Sequence, residues 1–369
     1  MPALFRKVAI IGVGLIGGSL GMAIKKDKLA DWVIGVDVEN QELQLAKELR
    51  AIDAGYLEFT DQVADADLVV LAAPITINFN ILETIKPKLK PGTIITDVGS
   101  TKGDFVRACQ SVLGDQYFFV GGHPMAGSET TGVKGADPYL FENAIYVLTP
   151  TKETDATALT RVKLLCEGIG SRLVEIDPDE HDLLVAAISH LPHLVASTLV
   201  NSVAAIEDAH PHALMLAAGG FRDTTRIASG NPRLWRDICF SNQDQLLRMI
   251  SIFKENLNSF ETQLRGTLKQ EFEQSMAQAK DVRAKIPAKL KGYWPFLEEI
   301  VVTIPDKPGL IGKVAAILGR QGVNIDDIEI LRVREGEGGS LRLGFAQVDA
   351  ADKAVKILGE HGFLARARK

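Results

Sequence analysis

The run Val8-Ala9-Ile10-Ile11 enters Gly12-Val13-Gly14-Leu15-Ile16-Gly17, and a helix-length interval later Trp32-Val33-Ile34-Gly35-Val36 ends on Asp37. This succession of apolar run, glycine turn, helix, second run and terminal acid constrains the fold more than any other part of the chain. In such a unit the first glycine permits the tight turn, the second lets backbone approach a pyrophosphate, and the third lets the helix pack closely on the strand. The helix N-terminus presents N–H groups and a positive dipole end to an anion. Gly12, Val13, Gly14, Leu15, Ile16 and Gly17 are therefore expected to cradle a dinucleotide, with Asp37 accepting hydrogen bonds from a ribose 2′-hydroxyl. A carboxylate there repels a 2′-phosphate, so the expected cofactor is NAD rather than NADP.

Short apolar runs recur at 67–73, 93–98, 117–120 and 144–148. Near-continuous apolar strands belong to a parallel sheet covered on both faces, which predicts an α/β, doubly wound, Rossmann-type domain over residues 1–176. Its ligand crevice lies outside the C-terminal strand ends. Ala73-Pro74, the segment from Asp97 to Gly103 and the segment from Gly121 to Glu129 are expected there. Residues 177–291 shift to helical periodicity after the helix start Asp177-Pro178-Asp179-Glu180, and are expected to form an all-helical domain for substrate and dimer contacts. Proline and glycine breakers near 287 and 292–295 mark a linker. Residues 298–369 read as βαββαβ.

A length of 369 residues predicts two or three domains. With 46% hydrophobic and 24% charged residues, a soluble globular chain is expected, with no apolar run long enough to cross a bilayer. The N-terminus enters the first strand at once and leaves no room for a signal segment, so the expected location is cytoplasmic. A net charge of −6, without lysine and arginine interleaved with aromatics, excludes the usual nucleic-acid footprint. Cys109, Cys166 and Cys239 are odd in number and far apart, which predicts reduced thiols and no disulfide framework or zinc site.

Among seven histidines, His123 follows a predicted strand at the edge where a nicotinamide should lie, and is the candidate general base. An imidazole with an ordinary pKa of about 6.5 can accept a proton near neutrality. Ser100, on the neighbouring strand end, can bond this ring or a substrate hydroxyl. His190 and His193 share one side of a helix, but no third ligand accompanies them, so no metal is expected. Of the arginines between residues 222 and 236, Arg226 is the best carboxylate clamp. Arg222, Arg233 and Arg236 read as surface groups.

Five segments in order resemble the prephenate dehydrogenase family: Gly12 to Gly17, Asp97-Val98-Gly99-Ser100-Thr101-Lys102-Gly103, Gly122-His123-Pro124-Met125-Ala126-Gly127-Ser128-Glu129, Ser189-His190-Leu191-Pro192-His193, and Phe221 to Ala228. The C-terminal unit, with Asp306, Pro308, Gly309, Asn324 and Ile325, resembles an ACT domain, a small amino-acid-binding regulatory module. The resemblance implies that His123 takes the proton of the prephenate C4 hydroxyl as hydride passes to NAD. It further implies that Ser100 orients His123, Arg226 holds a substrate carboxylate, and His193, Ser128, Glu129 and Asp223 shape the pocket. Trp235 matches a tryptophan that approaches from the partner subunit of a homodimer, and tyrosine is the implied effector. Some relatives carry a further histidine where this chain has Ala205. Arogenate would use the same base and clamp as prephenate. A dehydrogenase of 3-hydroxy acids would require a lysine where His190 and His193 stand, and a silent NAD and amino-acid sensor would not require Ser100, His123 and Arg226 together.

Overall fold

The computed structural model describes all residues except 1–2, 59–60, 62, 128–129, 287–297, 306, 332–339 and 369. The chain divides into two compact units, Met1–Lys291 and Gly292–Lys369. The first contains an eight-stranded sheet built from β1 (Phe5–Ile11), β2 (Ala30–Val36), β3 (Ala54–Tyr56), β4 (Leu68–Leu71), β5 (Ile94–Asp97), β6 (Phe118–Pro124), β7 (Ile145–Thr149) and β8 (Arg172–Glu175). Their spatial order is β3-β2-β1-β4-β5-β6-β7-β8. Helices α1 (Leu15–Lys26), α2 (Asn40–Glu48), α3 (Ile75–Ile85), α4 (Gly103–Leu113) and α5 (Ala156–Gly168) connect them.

Alternate strand residues feed two separate cores. Val8 and Ile10 of β1, with Leu68 and Val70 of β4, enter one cluster; Ala9, Ile11, Val69 and Leu71 enter the other. Burial on both faces explains why these strands read as continuous apolar runs. The expected parallel sheet is corrected at one end: β7 pairs antiparallel with β6, and β8 runs parallel to β7. Among its described residues the connection between β6 and β7 holds the short 3-10 turn Val133–Gly135 and no crossover helix, so the chain returns in the opposite direction. Strand order reverses between β1 and β4, which puts the crevice beside the Gly12 turn.

Beyond the sheet come α6 (Pro178–Val185), a π turn at Ala186–His190, α7 (Leu191–Glu207), α8 (Gly219–Thr225), α9 (Pro232–Ser241), α10 (Gln243–Arg265) and α11 (Lys269–Ala284). Asp177 caps α6 by accepting from the N–H groups of Asp179 and Glu180. Pro192 has no N–H to offer Ile188, and the chain widens into a π turn just ahead of it. The expectation that no segment could span a bilayer is corrected. Pro178–Glu207 forms a 30-residue helical stretch with an 18-residue window of mean hydropathy 1.7, long and apolar enough by length and composition alone. It also carries His181, Asp182, His190 and His193, all buried within the unit.

The second unit shows the expected βαββαβ order: β9 (Glu298–Thr303), α12 (Leu310–Arg320), β10 (Asp327–Leu331), β11 (Ser340–Phe345), α13 (Val348–Glu360) and β12 (Leu364–Arg368). Its antiparallel sheet, ordered β10-β11-β9-β12, packs Ile300, Val302, Leu341, Leu343 and Phe345 against Val314, Leu318 and Leu358. On the other sheet face, buried Arg342 is held by Glu299, Asp327 and Glu329. Gly309, at φ +86°, turns the chain from Pro308 into α12. Asn324 donates to Asp326 at 2.8 Å, and Ile325 packs beside the core. Asp306 lies outside the described residues.

Candidate active site

The glycine turn is built as its spacing requires. Gly12 has φ +93°, and a Cβ on it would stand 2.7 Å from the backbone of Ala72 and Ala73, so the turn is pressed against the end of β4. A Cβ on Gly17 would lie 1.9 Å from the Gly12 carbonyl oxygen. Gly14, the N-cap of α1, has open space around its missing Cβ and no side-chain cap. Backbone can thus come close to a ligand beside Leu15 and Ile16, at the positive end of α1. Asp37 accepts from the Val13 N–H at 2.9 Å and from the Glu39 N–H at 3.0 Å, which fixes its carboxylate beside the turn. The carbonyl of Ala73 accepts from Asn78, and Pro74 caps α3. Turn, open cradle and acid together fit a dinucleotide.

A buried ion pair ties the next two strand ends together. Asp97 closes β5, pairs with Lys102, and accepts from the N–H groups of Gly99 (2.8 Å) and Gly122 (3.1 Å). The loop bearing Ser100 and the backbone beside His123 are therefore anchored to one carboxylate.

His123, on β6, is half-buried, and its Nδ1 lies 2.8 Å from Nε2 of His181. Among the described residues the hydrogen-bond partner of Nδ1 is His181, because this nitrogen is directed at α6. His181 Nδ1 in turn lies 2.8 Å from Oδ1 of Asp182. The Asp182 carboxylate also accepts from the N–H groups of Lys102 and Gly103, both at 2.8 Å, and so caps α4. Loss of hydration on burial is the main cause, followed by repulsion from Lys102 and from His181 and His190 whenever those rings are protonated, and together they hold the His123 imidazole well below its ordinary pKa. The ring is neutral at pH 7.

The second histidine pair lies at the π turn and α7. Burial brings His190 down to about 4 against the opposing pull of Asp182, and lowers His193 as well. Asn242 donates to the backbone carbonyl of Asp182 and faces His190 Nδ1 at 3.2 Å. Trp235, on α9, stacks on His193 with centroids 3.6 Å apart. The short turn after Arg226 brings α9 back over α7, so this stack is made within one chain. Gly230 closes that turn so tightly that a Cβ would meet Trp235 at 2.5 Å and His193 at 3.0 Å. Arg226 begins this turn, Arg226–Ser229, and Asp223 is exposed on α8. His193 Nδ1 is buried without a hydrogen-bond partner among the described residues, and an unsatisfied buried nitrogen fits a polar ligand group. Ser128 and Glu129 lie outside the described residues.

Reading the residues alone did not single out Asp97 and Lys102 as an ion pair, nor His181, Asp182 and Asn242. Asp97 and Lys102 stand in the segment from Asp97 to Gly103, and five-residue spacing carries no hint of pairing. His181 and Asp182 are separated from His123 by more than fifty positions, a gap that only the fold closes.

Residues 20–175 match the family model described as "Prephenate dehydrogenase, nucleotide-binding domain", residues 177–278 match "Prephenate dehydrogenase, dimerization domain", and residues 299–362 match "ACT domain". The prephenate dehydrogenase of Bacillus subtilis is 38% identical over 95% of this chain and 95% of its own length. A crystal structure of Aquifex aeolicus prephenate dehydrogenase with hydroxyphenyl propionate and NAD+ has a TM-score of 0.72 and 32% identity, covering 76% of this chain and 98% of that one. Synechocystis arogenate dehydrogenase aligns with a TM-score of 0.68 and 32% identity over 76% of this chain and 99% of its own. Matched along nearly its whole length, and with an ACT domain at its C-terminal end, the chain belongs to the prephenate dehydrogenase family.

Proposed function

We propose that the chain binds NAD at the Gly12 turn and converts prephenate to 4-hydroxyphenylpyruvate and carbon dioxide, with His123 as the group that takes the C4 hydroxyl proton. The observation that carries this reading is the His123 ring: neutral, desolvated, and hydrogen-bonded through His181 to Asp182. A general base must be unprotonated before it acts, and desolvation keeps it so. Bound nicotinamide supplies the acceptor for the C4 hydrogen and its electron pair. The open cradle at Gly14 and the Asp37 carboxylate support NAD, as does the NAD+ named with the Aquifex structure.

Arg226 holds a substrate carboxylate in this reading, and His193 with Trp235 forms a wall of the pocket. Loss of the ring carboxylate as carbon dioxide leaves an aromatic ring, which makes the overall conversion favourable. The ACT domain takes tyrosine and feeds its occupancy back to catalysis. Ile188, Leu199, Val200 and Ile206 are exposed along the 178–207 helical stretch, and the match to a dimerization domain supports their being covered by a second copy in a homodimer.

The test is NADH formation from prephenate and from arogenate, each with and without tyrosine, beside a His123→Asn variant. Turnover of prephenate is expected, with a loss of about 10²- to 10⁴-fold in the variant, the usual contribution of a positioned base. Turnover of arogenate alone, or a variant as fast as the parent, would overturn the reading.

A further inference from the structure

The chain Asp182, His181, His123 contains more information than its distances. A carboxylate only accepts hydrogen bonds, so the proton between Asp182 and His181 belongs to His181 Nδ1. A neutral His181 then has a bare lone pair on Nε2, and the 2.8 Å contact to His123 requires His123 Nδ1 to carry the hydrogen. That leaves the lone pair of His123 on Nε2. We propose that His181 and Asp182 are positioning residues that lock His123 in the Nδ1–H tautomer, so that Nε2 is the atom that accepts the substrate's proton.

This inference rests on the reading of His123 as the base for an alcohol oxidation. When the hydroxyl O–H bond breaks, the new N–H bond forms at Nε2. The resulting imidazolium remains hydrogen-bonded through Nδ1 to His181 and thence to Asp182. Its charge is thereby shared with a carboxylate that cannot itself reach the substrate. Both histidine-paired groups are buried, so this chain does not exchange its partners with water. The other titratable or charged groups facing the pair are Lys102, with its partner Asp97, and His190. The opposite polarity, with a second proton on His181 donating to His123 Nδ1, would put a hydrogen on His123 Nε2 and remove the base.

The two polarities differ in a directly measurable way. Ring 15N shifts of the full-length protein, with histidines labelled and His123 assigned through the His123→Asn variant, distinguish a protonated Nδ1 from a protonated Nε2. The Nδ1–H form is expected at pH 7.5 to 8 without any substrate present. An Nε2–H form in the unmodified protein would overturn the proposal, whatever the substrate is. Kinetics supply the second arm. His181→Leu removes the acceptor and should lower kcat by about 10- to 100-fold with little change in KM or in NAD+ affinity. His181→Gln keeps an acceptor oxygen toward His123 and should recover most of that loss, and the pH profile of kcat should move in the leucine variant alone. Equal losses in both variants, or none in either, would reject the positioning role. If the wild-type chain shows the Nδ1–H form yet does not turn over prephenate, the substrate reading fails and the tautomer lock stands.

Discussion

Trp235 lies flat on His193, with ring centroids 3.6 Å apart and ring planes within 14° of parallel. The indole covers one face of an imidazole whose Nδ1 has no hydrogen-bond partner among the described residues. Such a stack contributes about 0.5–1.5 kcal/mol beyond the area it buries, and it fixes where the open nitrogen points. Trp235→Ala should therefore raise KM for prephenate by roughly 2- to 13-fold, the ratio equivalent to that energy. Trp235→Phe keeps a flat ring and should stay near the parent. Steady-state kinetics with saturating NAD+ decides it, and an unchanged KM in the alanine variant would remove the stack from the substrate site.

The lowered histidines set a pH dependence with a definite sign. His190 moves from 6.5 to about 4, and burial is the main cause for it as for His123 and His193. Below an ordinary histidine pKa the unfolded chain takes up protons that the folded chain does not, so stability falls as pH drops from about 6.5 and levels off once the folded values are passed. For His190 alone the span corresponds to on the order of 3 kcal/mol at its limit. Thermal melts of unit Met1–Lys291 within the full chain should thus decline between pH 7 and pH 5, and less steeply in His190→Gln. Catalysis should behave differently. A base held neutral well below 6.5 keeps kcat level through the range where a free histidine would lose it.

The three glycines of the turn separate folding from binding. Gly17→Ala forces a methyl to within 1.9 Å of the Gly12 carbonyl oxygen, and should destabilise the protein by about 1–3 kcal/mol or more, as overpacking does. Gly14 has φ −66° and open space at its Cβ, so Gly14→Ala should leave the melting temperature nearly unchanged. Its methyl would nonetheless occupy the approach to a pyrophosphate and weaken NAD+ binding by about tenfold or more. Melting curves and NAD+ titrations on both variants check the contrast. A Gly14→Ala protein with normal affinity would place the pyrophosphate elsewhere.

Legibility in the sequence followed locality. The Gly12 turn, Asp37, the helix start at Asp177 and the βαββαβ order all depend on residues within one or two elements, and each was readable from spacing. Strand direction at β7 was not, because apolar composition does not distinguish a strand that returns from one that crosses over. His123 was readable because a glycine pair and a strand end point to it. Its partner is not legible: His181 is remote in the chain and meets the ring only once α6 is folded against the sheet. Lys102 and Asp97 were hidden by their charges, since nothing in composition predicts that both will be withdrawn from water and joined.

Among the described residues, the second unit has a core drawn from β9, β11, α12 and α13, and the first has two cores built from its own residues. A chain ending at Ile286, two residues past α11, removes that third core and spares the others. Separate cores fold separately, so the truncated protein should keep kcat and NAD+ affinity within about twofold of the parent. Inhibition by tyrosine should disappear, because the βαββαβ unit that would bind it is gone. The decisive measurement is prephenate turnover against tyrosine concentration for both proteins, with NAD+ saturating. Retained inhibition would mean that tyrosine acts within residues 1–286, at the active site and not at the βαββαβ unit.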